Sequence, residues 1–125
     1  MLVDTDVLIW YLRGYPNAAK YLDSLSAVRL SAVTYMELVQ GCRNKDELSR
    51  LKKDLAARQA AILPITEAIS NRAAVLVETH FLGGGLLMAD ALIAATALEH
   101  GLSLASANNK HFGIVAGLKL ETFQP

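Results

Sequence analysis

The feature that most constrains this chain is an alternation. Short, largely apolar runs at Leu2 to Asp4, Val28 to Leu30, Ile62 to Pro64, Leu102 to Ala105 and Leu118 to Thr122 are separated by longer, mostly helical stretches. Strands spaced this far apart do not pair as tight hairpins. They pair side by side in one direction, with helices crossing between them. The pattern therefore predicts an α/β fold with a mostly parallel sheet.

The helical stretches carry recognisable ends. Thr5 or Asp6 starts a helix to about Leu12, and Gly14 to Pro16 breaks it. Asn17 to Leu25 is a second helical run. Ser31 is a good N-cap for a helix to about Val39, with Gly41 near its end. Lys45 to Ala60 reads as a long amphipathic helix. Thr66 caps the next, with Glu67 in its first turn, and that helix runs to about Phe81. Gly83-Gly84-Gly85 reads as a flexible hinge or loop, Met88 to His100 as a helix stopped by Gly101, and Asn108 to Phe112 as a loop or short helix.

Composition narrows the class. At 125 residues and 53% hydrophobic, the chain is expected to form one compact domain over residues 1–125 and is too apolar for disorder. Twelve basic and twelve acidic residues leave no overall basic field. Between Arg43 and Arg58 basic residues are in local excess, which by itself reads as a solvated helix face. Cys42 is the only cysteine, which fits a reducing cytoplasm and excludes an internal disulfide. The start at Leu2-Val3-Asp4 lacks the pattern of a signal peptide, and the apolar stretch Leu86 to Leu98 is too short to span a bilayer. A soluble cytoplasmic protein without a membrane partner is expected.

Three acids look out of place. Asp90 is the only acid or strong base between Thr79 and Leu98. Ile93, Ala94 and Ala97 share its helix face, so burial is expected. An unpartnered buried carboxylate is costly, so a cation, a basic partner or hydrogen bonds, including backbone amides at the helix N-terminus, must satisfy it. Asp4 ends the first strand, where ligands of open α/β sheets bind. Glu37 shares a small, polar helix face with Thr34 and Gly41, a pattern also typical of a solvent-facing surface. Asp6 reads as an ordinary acid in the first turn of a helix. Thr5 either caps that helix or adds a hydroxyl to a site. Carboxylates on separate elements suit Mg2+ or Mn2+, which prefer oxygen ligands and keep water. His80, His100 and His111 lack zinc-type spacing.

The segments Leu2-Val3-Asp4-Thr5-Asp6, Ser31-Ala32-Val33-Thr34-Tyr35-Met36-Glu37-Leu38-Val39-Gln40-Gly41 and Met88-Ala89-Asp90-Ala91-Leu92-Ile93-Ala94-Ala95-Thr96-Ala97, in this order, resemble the PIN-domain nucleases. The likeness is greatest to the VapC toxins of bacterial toxin–antitoxin modules and spans nearly the whole chain. It implies a Rossmann-like α/β/α sandwich with a central, mostly parallel sheet of four or five strands. It also implies Mg2+- or Mn2+-dependent endoribonuclease activity, a homodimer, and inhibition by a VapB-type antitoxin.

Carried over by residue, the family's three acids match Asp4, Glu37 and Asp90, and Thr5 matches its neighbouring hydroxyl. A fourth polar or acidic position falls in Ser106 to Phe112. There Asn108 stands where some relatives have Asp, and His111 where many have a second acid. One firmly held metal is expected rather than two, with Asn108 in support or serving only as a turn residue. Arg13, Arg43, Lys45 and Lys110 are candidate phosphate contacts. The stretch Trp10, Tyr11, Leu12 and Tyr15 is a candidate lining for the antitoxin groove, although Trp10 also suits core packing. Two alternatives remain: a catalytically weak RNA- or antitoxin-binding module, and a phosphatase using Asp4 as nucleophile.

Overall fold

Leu2 and Val3 form the first strand, β1, and their side chains point to opposite faces of the sheet. Leu2 enters a core with Ile69, Ala73, Leu86, Ile93 and Leu104. Val3 enters a second core with Val7, Leu8, Leu22, Leu30, Leu38 and Leu51. Both residues are completely buried. The computed structural model describes residues 1–125 and places helices on both faces of a sheet, giving three layers.

The elements follow as α1 (Thr5–Leu12), α2 (Pro16–Ser24), β2 (Arg29–Ser31), α3 (Ala32–Gln40), α4 (Lys45–Ala57), β3 (Ala61–Leu63), α5 (Glu67–Gly84), α6 (Met88–His100), β4 (Leu104–Ser106), α7 (Asn109–Phe112) and β5 (Leu120–Thr122). The sheet has five strands in the order β3-β2-β1-β4-β5. All four pairings are parallel. Helices α1 to α4 supply most of the second core, while α5 and α6 supply most of the first. No helix is long and apolar enough to cross a membrane.

Local chemistry accounts for the helix starts. Asp4, Ser31, Asn44, Thr66 and Asn108 each accept a backbone N–H at the start of the following helix. Pro16, expected within a break, instead begins α2, because its missing N–H costs nothing in the first turn. The expected hinge at Gly83-Gly84-Gly85 is corrected. Gly83 and Gly84 continue α5, and Gly85 closes it in the left-handed conformation at φ 69°, which a residue lacking Cβ adopts without strain. Helix α4 ends three residues early, at Ala57. The stretch Asn108 to Phe112 resolves into a cap and a four-residue helix.

This topology places the site. The chain adds β2 and β3 on one side of β1, then crosses to add β4 and β5 on the other. A crevice opens at such a reversal, beyond the carboxyl ends of the two adjacent strands. Asp4 follows β1 there, and Ser106 ends β4.

Candidate active site

Asp4 is nearly buried, at 5% exposure. Its backbone N–H donates to the Ala105 carbonyl at 2.9 Å, holding β1 against β4. One carboxylate oxygen accepts the Thr5 N–H at 2.8 Å and the other accepts the Ser106 hydroxyl at 2.7 Å. Asp6 approaches the same hydroxyl at 3.4 Å and accepts the Ala107 N–H at 3.0 Å. Its second oxygen, Oδ1, is buried with no partner. Burial first, and the charge of Asp6 second, push the Asp4 carboxyl up to about 7 against the pull of its Ser106 and Thr5 hydrogen bonds. Asp6 is therefore more than an ordinary first-turn acid. Its position two residues after a capping acid was the available clue: two carboxylates at one helix start exceed what capping needs.

Thr5 links the first acid to the second. Its hydroxyl lies 2.7 Å from Glu37 Oε1 and 3.0 Å from Thr34 Oγ1. One hydroxyl hydrogen cannot serve both, so Thr5 donates to the carboxylate and accepts from Thr34. Thr34 is fully buried on α3, whereas Glu37, one turn on, is exposed. The polar face of α3 thus points at α1 through Thr34 and reaches solvent at Glu37. The sequence places Thr34 on the face of Glu37 and Ser106 at the head of the fourth-position segment, but gives neither the role of holding another site residue.

Asp90 sits in the first turn of α6. It was expected to be buried, and the structure corrects this: the side chain is 21% exposed. Leu87 and Met88 turn outward, and the fully buried part of α6 begins at Ala91, because Asp90 lies where the helix emerges from the core. Its close partner is His111, with Nδ1 3.4 Å from Asp90 Oδ2. Burial raises the Asp90 carboxyl, His111 opposes this, and Glu37 and Asp6 raise it further. The last two contributions show that these acids share one field. Asn108 accepts the His111 N–H at 3.4 Å as the cap of α7 and donates its own N–H to Ser106 Oγ at 2.9 Å. It is a capping residue at the rim of the centre.

As placed, no three Asp, Glu, His or Cys side chains form a group that could hold one ion. The donor chemistry nevertheless fits a hard divalent cation. Asp6 Oδ1 lacks a partner, and burial first, with the charge of neighbouring acids added, raises both Asp4 and Asp90. Mg2+ takes one or two carboxylates directly and fills its remaining positions with water.

A groove of about 620 Å³ runs from Glu37 between α1, α3 and α4. Ile9 and Leu12 give it apolar wall, and Arg13, Arg43 and Arg50 give it charge. Arg43 is held by Glu47 at 2.8 Å. Lys45 and Lys110 are exposed but do not line the groove, whereas Arg50, overlooked in the sequence, does. Of the aromatic-rich stretch only Leu12 lines it. Trp10 packs edge-on to Tyr15 with centroids 4.4 Å apart, and Tyr11 lies under Arg58.

The PIN domain profile matches residues 1–118. The chain belongs to the PIN-domain family. It is 34% identical to Ribonuclease VapC10 of Mycobacterium tuberculosis, an alignment covering 95% of this chain and 90% of that one. Among solved structures, this PIN domain resembles a toxin–antitoxin complex from Klebsiella pneumoniae at a TM-score of 0.81 and 28% identity, covering 99% and 96% of the two chains. It also resembles FitAcB from Neisseria gonorrhoeae at 0.73 and 31% identity, covering 95% and 94%. The acids Asp4, Asp6, Glu37 and Asp90 of this family member thus lie at the topological switch point of a PIN fold.

Proposed function

We propose that this PIN-domain chain is a Mg2+- or Mn2+-dependent endoribonuclease and the toxin of a VapBC-type toxin–antitoxin pair. The observation that carries this reading is the gathering of Asp4, Asp6, Glu37 and Asp90 at the sheet's switch point, where burial first and the charge of Asp6 second raise Asp4 to about 7. Crowded carboxylates cost stability unless a cation joins them. A relative named as a ribonuclease and a neighbour described as a toxin–antitoxin complex support the substrate and the partner.

In this reading Asp4, Glu37 and Asp90 hold the ion. When bound, it activates water and neutralises charge on the phosphate undergoing attack. Ser106 and the Thr5 N–H fix the Asp4 carboxylate, while the Thr5 hydroxyl, backed by Thr34, aims Glu37. Asn108 orients a water or a phosphate oxygen. Arg13 and Arg43 contact RNA phosphates along the groove, with Lys45 and Lys110 outside it, and such contacts position the strand without reading its sequence. The groove, part apolar and ending at Glu37, suits a VapB-like antitoxin segment with apolar side chains and a basic residue. A second copy of the chain covers the exposed apolar side chains Phe81 and Leu82 near the end of α5 and Leu87 and Met88 at the start of α6. Leu82→Glu is then expected to shift the antitoxin-free chain from dimer to monomer in analytical ultracentrifugation. A dimer surviving this change would place the interface elsewhere.

The direct test uses the chain freed of antitoxin by denaturation and refolding. It should cleave RNA with Mg2+ or Mn2+ and stop on addition of EDTA. A second reading, a catalytically weak module, is favoured by Asn108 and His111, a neutral amide and an imidazole in the segment where the family resemblance implies a fourth polar or acidic position. Binding without cleavage across several RNAs would select it. Phosphate release with a trapped acyl phosphate on Asp4 would instead select the phosphatase chemistry.

A further inference from the structure

His111 faces the acidic centre from α7, and its contacts with Asn108 and Asp90 set what its Nδ1 can do. Asn108 Oδ1 accepts the backbone N–H of His111 at 3.4 Å. That contact orients the Asn108 amide, because the reverse orientation would set a donor against a donor. The other end of the amide, Nδ2, then lies 3.2 Å from His111 Nδ1. An amide nitrogen only donates, so this contact suits the neutral tautomer with a lone pair on Nδ1 and the hydrogen on Nε2. Asp90 Oδ2 lies 3.4 Å from the same Nδ1. In the neutral ring, Nδ1 and Asp90 Oδ2 both turn lone pairs to the space between them, where a cation can replace the proton that joins the pair when His111 is charged.

The spacing suits that role. Adjacent donors on a six-coordinate ion with bonds of ~2.1 Å stand about 3.0 Å apart. Moving from 3.4 Å to that distance needs only a small rotation, and the ion takes the place of the Asn108 contact. The platform is rigid. Phe112, next in sequence, is 1% exposed in the core. The α7 turn closes with the Gly113 N–H on the Asn109 carbonyl at 2.8 Å, where a Cβ on Gly113 would meet that oxygen at 2.7 Å.

We propose that His111 is a nitrogen ligand of the divalent cation at Asp90, and that this ligand turns the centre toward first-row transition ions such as Mn2+ and away from Mg2+. The proposal rests on the reading of Asp90 as a metal-holding residue. Its chemistry is that Mg2+ favours oxygen donors, whereas imidazole favours transition ions.

The test adds Mn2+ alone to the full-length chain and reads its electron spin echo modulation. Direct coordination is expected to give a 14N coupling that converts to a 15N pattern when histidine is 15N-labelled. The coupling should vanish in both His111→Ala and His111→Gln, with Mn2+ still bound through Asp90. His111→Asp should lower the ratio of Mn2+ to Mg2+ affinity by roughly 10- to 100-fold. An oxygen-only spectrum from Mn2+ that Asp90→Asn displaces would overturn the histidine ligand and leave the Asp90 reading standing. A nitrogen coupling that survives both His111 variants would also overturn it. No Mn2+ binding, or binding indifferent to Asp90→Asn, would overturn the ligand and the metal-site reading together. The wild-type spectrum is informative even if a variant folds poorly.

Discussion

Replacing Asp4 with Asn is expected to abolish RNA cleavage, by roughly 10³-fold, because the change removes a charge that holds the cation at the reacting phosphate. In metal-free protein the same change should raise the melting temperature. Asn preserves the local hydrogen bonds: its oxygen accepts the Thr5 N–H and its amide donates to Ser106 Oγ, which turns its own hydrogen toward Asp6. What disappears is a buried charge beside Asp6. The Asp4 carboxyl is raised from 3.8 to about 7 in the folded chain. Below pH 3.8 the folded and unfolded states both hold the proton, and the group contributes nothing to the difference between them. Between 3.8 and about 7 only the folded state keeps it, so stability falls as pH rises. Above about 7 the full penalty remains, on the order of 2–4 kcal/mol. Removing it should raise the midpoint by roughly 10 °C at about pH 8, and by little at about pH 4. Calorimetry in EDTA at both pH values checks this. A variant that melts at or below wild type at the higher pH would show that crowding of Asp4 is not a source of instability, and retained cleavage would remove Asp4 from the metal site.

Asp90→Asn should be as damaging to cleavage, again by roughly 10³-fold, with hardly any change in folding. The contrast comes from location. Asp90 is partly exposed at the start of α6, and its contact with His111 resembles a surface pair worth about 0–1 kcal/mol. Burial raises its carboxyl, so losing the charge leans, if anything, toward stability. Single-turnover cleavage set beside a melting curve separates the roles. A drop of more than about 5 °C with activity intact would make Asp90 a structural residue, whereas lost activity with unchanged melting supports its place at the metal.

The two variants show why parts of the site are legible in sequence and parts are not. Asp90 stands out as the one charge in a long apolar stretch. How far it is buried depends on where α6 leaves the core, and its partner His111 lies on a different helix. Asp6 reads as a first-turn acid, which it is. Its pairing with the Ala107 N–H joins residues 101 apart in sequence, and no local pattern announces that. Glu37 has the local pattern of a surface residue, and only the Thr5 hydroxyl, 32 residues away, ties it to the centre.

Strand alternation and helix caps are short-range, so the α/β class and the parallel sheet are legible in the order of residues alone. Chain order also puts Asp4 beyond the first strand. The opening alternation thus determined which elements form and roughly where they end. Only the tertiary structure decided that β1 lies between β2 and β4, because strand order depends on which packed arrangement buries both faces of Leu2-Val3. That order brings Ser106, Ala107 and Asn108 beside Asp4 and Asp6. The crowded charge of the centre follows from this long-range packing and belongs to no single segment of the chain.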